Sequence, residues 1–226
     1  MDRLIVALDW DETIFPSKWA ASLDSNEAQS SQVEESVRKL ETTLHSLLSN
    51  LFTIPNAIIS IITNARARWV LSSIERFCPS LSQFMDRVQI ISAREMFGSR
   101  YSVEKHGESA YVVWKLMSFI HLVKSAKSES VTFISVGDSN CELLAARELA
   151  RAIEANRASP NPLPDFPKKL TVKTIKTPDS PDINQISQNI KVFMSATSWL
   201  TSQTGSIETT LNGLARHVMP PEVSRT

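Results

Sequence analysis

Leu4-Ile5-Val6-Ala7-Leu8-Asp9-Trp10-Asp11-Glu12-Thr13 is the stretch on which the fold turns. Its five leading residues are apolar without alternation. That is the pattern of a strand covered on both faces, as in the interior of a parallel sheet. The run then meets two aspartates at i and i+2. Ligands of open parallel sheets bind beyond the carboxyl ends of the strands, so these ten residues mark both a central strand and a site.

Working outward, four more β-branched runs follow: Ala57 to Asn64, Arg87 to Ala93, Ser130 to Asp138 and Lys169 to Lys176. With Leu4 to Trp10 they predict five strands. The fifth alternates through Leu170, Val172 and Ile175, which predicts an edge strand. Helical periodicity separates the runs. Val33, Val37, Leu40, Leu44, Leu47, Leu48 and Leu51 recur at three and four and predict one long helix. Arg66 to Phe77, Ser109 to Lys124, Asn140 to Ala155 and Ile183 to Leu200 predict four more. Strands alternating with helices imply βαβ units and a parallel sheet with right-handed crossovers. Ser159 to Pro167 carries four prolines and reads as a loop. Residues 1–203 read as one domain, and residues 204–226 as a polar tail that frays.

The chemistry-bearing residues fall at strand ends. Asp9 and Asp11 offer hard oxygens suited to magnesium. An aspartate can also attack phosphorus as a nucleophile, and a second carboxyl can protonate the leaving oxygen and then activate water. Thr63 ends the second run, where a hydroxyl can hold a phosphoryl oxygen. Gly137, Asp138 and Glu142 follow the fourth run. Gly137 permits a tight turn there, and the two acids add carboxylates beside a helix start, where Asp138 or Ser139 also serves as a cap. A lysine would balance these charges. Lys115 precedes the fourth run, with Lys105 and Lys124 as rivals.

These pieces, DxDxT at Asp9, Asp11 and Thr13, then Thr63, then Lys115, then GDxxxE at Gly137, Asp138 and Glu142, resemble in order the four motifs of the haloacid-dehalogenase (HAD) superfamily. The phrases LDWDETIFPS (8–17), ITNARARWV (62–70), IISAREMF (90–97), VVWKLMSF (112–119) and SVGDSN (135–140) further resemble a group of HAD-like proteins of microbial eukaryotes. The resemblance implies a three-layer, Rossmann-like α/β sandwich with sheet order 5-4-1-2-3. It implies a Mg2+-dependent phosphomonoester hydrolase working through an aspartyl-phosphate. Asp9 would be the nucleophile and Asp11 the acid and base. Thr63 and Lys115 would hold the phosphoryl group, and Asp9, Asp138, Asp11 through its backbone carbonyl, and Glu142 through water or by orienting that shell, the metal. Family dehalogenases usually lack the second aspartate, so Asp11 points to phosphoryl chemistry. Retention of Asp9, Asp11 and Asp138 favours this reading over a catalytically silent HAD-fold binding module. A phosphomutase is a further alternative.

Many HAD members carry a cap domain. Here residues 14–56 hold one helical insertion, and Arg94 to Ser109 reads as a polar loop. Neither has room for a full globular cap. An open site suits a macromolecular phosphorylated substrate, or a second subunit acting as lid. Trp10, Phe15, Pro16 and Trp19 could line the entrance; the alternative is that Trp10 and Trp19 pack in the core beneath the turn. His45, His106, His121 and His217 lie in no metal-ligand spacing. Twenty-four basic residues balance twenty-four acidic ones, so nothing global points to nucleic acid or an anionic membrane. The two cysteines, in no paired spacing, suit a reducing compartment. The chain shows no signal-peptide core and no span of about 20 apolar residues. The expectation is a soluble, cytoplasmic protein.

Overall fold

The computed structural model describes residues 2–23 and 30–218. Six strands, β1 (Arg3–Leu8), β2 (Ala57–Thr63), β3 (Gln89–Ser92), β4 (Ser130–Gly137), β5 (Lys169–Lys176) and β6 (Ile207–Thr210), form one parallel sheet in the order β3-β2-β1-β4-β5-β6. β1 is central. Leu8 pairs with Ile61 of β2 on one side and Val136 of β4 on the other.

The unbroken apolar run of β1 is explained by its two faces. Leu4, Val6 and Leu8 enter one core, and Ile5 and Ala7 enter the other. The first core lies under α2 (Ser31–Phe52), α3 (Ala67–Phe77), α8 (Ile183–Ser202) and α9 (Leu211–Val218). The second lies under α4 (Ala93–Phe97), α6 (Ser109–Ser125) and α7 (Asn140–Ala158). The sheet is therefore the middle of three layers. Because β3 and β4 are parallel strands of the same sheet, α6 must return antiparallel to them. Its N-terminal half then lies at the carboxyl ends of the strands, where the acidic pair is.

The long helix in the 14–56 insertion is α2. Ser30 caps it by accepting from the Val33 amide at 3.3 Å. Leu40, Leu44, Leu47, Leu48 and Leu51 are buried against the sheet, so α2 is part of the sheet's cover rather than a lid. Each buried leucine contributes about 1.5–3 kcal/mol. A short α1 (Ser17–Ser22) precedes it.

Four expectations are corrected. The sheet has six strands, not five. β5 is not its edge, because β6 pairs outside it, with Lys173 opposite Ile207. The segment expected as a fraying tail holds β6 and α9, and Leu211 and Leu214 are buried in the core; residues 219–226 lie outside the described residues. Arg94 to Ser109 is not a plain loop but carries α4 and a short α5 (Val103–His106). Ser92 starts α4 by accepting from the Glu95 amide at 3.1 Å. Among the described residues, no helix is long and apolar enough to cross a membrane.

Candidate active site

β1 delivers Asp9 and Asp11 into a tight loop. The Asp9 amide continues the sheet ladder to the Val136 carbonyl at 2.9 Å. The Glu12 amide donates to the Phe15 carbonyl at 2.8 Å, and the Phe15 amide donates back to the Trp10 carbonyl at 2.9 Å. Glu12 takes a left-handed φ of 57°, a conformation costing a non-glycine residue about 1–2 kcal/mol. The strain is offset below the loop. Trp10 and Phe15 are buried and stack with centroids 5.1 Å apart, and Trp19 packs against Phe77. Of the two roles open to these aromatics, the core role is the one observed.

Lys115 joins the elements. It sits in the N-terminal half of α6, buried, and its Nζ donates to Asp9 Oδ1 at 2.5 Å and to the Ile62 carbonyl at 2.7 Å. It also pairs with Glu142 Oε1 at 2.8 Å. One ammonium thus ties β1, β2 and α7 together. The rival Lys105 is exposed, and Lys124 stands over the Phe166 ring. Glu142 is itself fixed from the other side by the Ser139 hydroxyl, which donates to Oε2. Ser139 also caps α7, accepting from the Cys141 amide at 3.1 Å. Thr13 completes the cluster. Its hydroxyl lies 3.4 Å from both Asp9 Oδ2 and Asp138 Oδ1, and it accepts from the Asp138 amide at 3.0 Å.

Gly137 is not held in a left-handed conformation. A Cβ there would fall 2.8 Å from both Cδ and Oε2 of Glu142. The residue is small to admit the carboxylate, not to make the turn expected of it.

Carboxylate oxygens of Asp9, Asp138 and Glu142 lie within 4.8 Å of one another. Ligands around a small hard dication stand about 3–4 Å apart, given oxygen distances near ~2.1 Å. A small side-chain adjustment brings the three into that range. The electrostatics point the same way, since three acids face one ammonium. Burial pushes Asp9 well above the usual carboxylate range, and Lys115 offsets this only in part. Asp138 is pushed up to about 6 by burial, reinforced by the charge of Glu142. Glu142 falls below its ordinary value, because Lys115 and Ser139 outweigh its burial. Burial would lower Lys115, but its two carboxylate partners outweigh this and raise it. The cluster is short of positive charge, and its all-oxygen donor set fits a divalent cation.

Asp11 stands apart from this group. Its Oδ2 accepts from the Thr63 hydroxyl at 2.7 Å. Its Oδ1 accepts from Trp69 Nε1 at 2.8 Å and from the Ser17 hydroxyl at 2.5 Å. Thr63 in turn accepts from the Ala65 amide at 2.8 Å. The hydroxyl expected to hold a phosphoryl oxygen is thus engaged with Asp11 here.

Sequence reasoning placed Asp9, Lys115, Asp138 and Glu142, which meet, and Asp11 with Thr63, which form a second pair beside them. It missed Thr13, Ser17, Trp69 and Ser139 as members of the site. Thr13 and Ser139 lay inside the quoted motifs and were open to reading as hydroxyl partners. Trp69 gave no signal, because an indole on an amphipathic helix reads as core. Comparison of the chain with protein-family models, with curated proteins and with solved structures finds no match in any of the three.

Proposed function

We propose that this chain is a magnesium-dependent phosphomonoester hydrolase of HAD type, with Asp9 as nucleophile. The observation that carries the reading is the meeting of Asp9, Lys115, Asp138 and Glu142 in one cluster, buried but for a partly exposed Asp138, at the carboxyl end of a parallel sheet. A bound magnesium ion would supply charge that screens the incoming phosphate from Asp9, Asp138 and Glu142.

Lys115 fixes the rotation of the Asp9 carboxylate, which sets an oxygen in line for attack. Asp9 forms a bond to phosphorus as the ester P–O bond breaks. The departing oxygen takes its proton from the Asp11 carboxyl. Water then attacks the phosphorus of the aspartyl-phosphate and passes a proton back to Asp11. Inorganic phosphate leaves and the Asp9 carboxylate is regenerated. For either proton transfer Asp11 must swing away from Ser17 and Trp69. Those hydrogen bonds are the observation that favours the alternative, a silent binding module.

One assay decides. Wild-type protein is expected to release phosphate from an aryl phosphate with magnesium and to stop in excess chelator. Asp9→Asn is expected to lose all turnover and form no phosphoryl-enzyme. Asp11→Asn is expected to slow turnover while a phosphoryl group accumulates on Asp9, trapped by rapid quench. A folded Asp9→Asn protein at wild-type rate excludes Asp9 as nucleophile, and no turnover of any ester by wild type favours the silent module.

A further inference from the structure

A cavity of about 730 Å³ opens one residue beyond Thr63, among Asn64, Arg66, Arg94, Ser102, Tyr111 and Trp114. It does not include Asp9. It is bound to the site by chain continuity, through Thr63 and Asn64 on β2 and through Trp114 and Lys115 on α6. The Ala65 amide in its wall is the one that donates to Thr63. Its volume is that of a small-molecule pocket, typically ~300–1,000 Å³.

Its polar groups are of two kinds. The acids are occupied. Glu95 Oε2 accepts from the Ala67 amide at the start of α3, at 3.0 Å. Glu104 is held by its own backbone N–H and by the Ser102 hydroxyl. The cations are less engaged. Neither the Arg66 nor the Arg94 guanidinium forms a hydrogen bond or ion pair with another described residue, whereas several exposed cations of the chain do; Arg94 lies close enough to Glu104 to lower that carboxyl, without a direct bond to it. Arg66 is also the N-cap residue of α3, an eleven-residue helix with no acid in its first turn, so the positive end of that helix adds to the same wall. Asn64, in the same wall, has a buried Oδ1 with no partner. Guanidinium groups whose N–H donors have no hydrogen-bond partner suit planar anions, which they bind through paired N–H donors. The half-open Tyr111 and the Trp114 beside it, 5.2 Å apart, give the wall an apolar side.

We propose that this cavity is the leaving-group subsite and that it takes a small phosphomonoester bearing a second anionic group, a carboxylate or a phosphate, recognised by Arg66 and Arg94. This rests on the hydrolase reading for its chemistry but not for its binding.

Matched probes test it. Phenyl phosphate is compared with 4-carboxyphenyl phosphate, and a hexose monophosphate with the corresponding bisphosphate, which separates the two anion sources. Wild type is expected to favour the doubly anionic member of at least one pair by about tenfold or more in kcat/KM. In Arg66→Ala/Arg94→Ala that ratio is expected to fall to within about twofold of unity, mainly through KM. Arg94→Glu, which reverses the charge, is expected to invert it. In parallel, benzylphosphonate and 4-carboxybenzylphosphonate, which are not hydrolysed, are titrated by calorimetry. Turnover without discrimination overturns the subsite and leaves the hydrolase standing. Selective, arginine-dependent binding of the carboxylated phosphonate without any turnover keeps the subsite and overturns the hydrolase. Neither turnover nor discrimination overturns both.

Discussion

A methyl group at residue 137 would stand 2.8 Å from Cδ and Oε2 of Glu142, so Gly137→Ala must push that carboxylate off Lys115. Overpacking of this kind costs about 1–3 kcal/mol. The variant is expected to unfold at lower urea concentration and to lose turnover by about tenfold or more, read as kcat/KM. Trp69→Phe is the milder test of the neighbouring carboxylate. It keeps an aromatic ring against Phe15, whose edge-on contact spans 6.2 Å, but removes the indole N–H from Asp11. A hydrogen bond to a charged group is worth about 1.5–3 kcal/mol. Asp11 must leave that bond before it moves a proton, so kcat is expected to rise, by up to about tenfold, with KM little changed; an unaltered kcat would make Trp69 a packing residue only. The two residues mark the limit of reading at this scale. Lys115 was legible because its order relative to the acidic motifs pointed to it. Trp69 was not, because its role depends on where α3 sets its ring, and no spacing in the chain encodes that.

Lys173 shows how one side chain can disguise an element. β5 carries Thr171, Lys173 and Thr174 among its apolar residues, and this mixture read as the alternation of an edge strand. In the fold all three are buried, Lys173 at 0% exposure. Its Nζ donates to the Gln203 carbonyl at 2.6 Å and to the Leu200 carbonyl, so it caps the end of α8 from the sheet. A cation at a helix C-terminus also meets the negative end of the helix dipole. Lys173→Met keeps the stem and leaves both carbonyls short of a donor. The expected loss is about 2–4 kcal/mol, measured by urea unfolding with unchanged m. The long elements, by contrast, were plain in the sequence. α2 and α8 each present an apolar stripe over many turns, and β1 and β4 are too apolar to be anything but interior strands. β6 escaped because four residues, Ile207 to Thr210, at the rim give neither a run nor a period. Only its register with β5 makes it a strand.

Across the whole molecule, β6 and α9 close the sheet edge beyond β5 and cover one end of the core. Ending the chain at Gln203 would bare the β5 backbone and remove Leu211 and Leu214, whose burial is worth about 3–6 kcal/mol together. The truncated protein is expected to unfold earlier in urea and to associate as its concentration rises, seen by gel filtration, because an open edge invites pairing between chains. A monomer of unchanged stability would show that β6 and α9 are dispensable. The central place of β1 has a consequence of another kind. The ribosome releases β1 before the other strands of this sheet, yet β4 covers its second side only after β2, β3 and the helices α1 to α6 have been made. Through that interval the nascent chain carries an apolar strand with one side unzipped, the condition in which unfinished proteins are held by chaperones. Lys115 emerges just ahead of β4, so the ammonium that ties Asp9 to Glu142 reaches the growing end of the chain as the strand that completes its surroundings begins to appear.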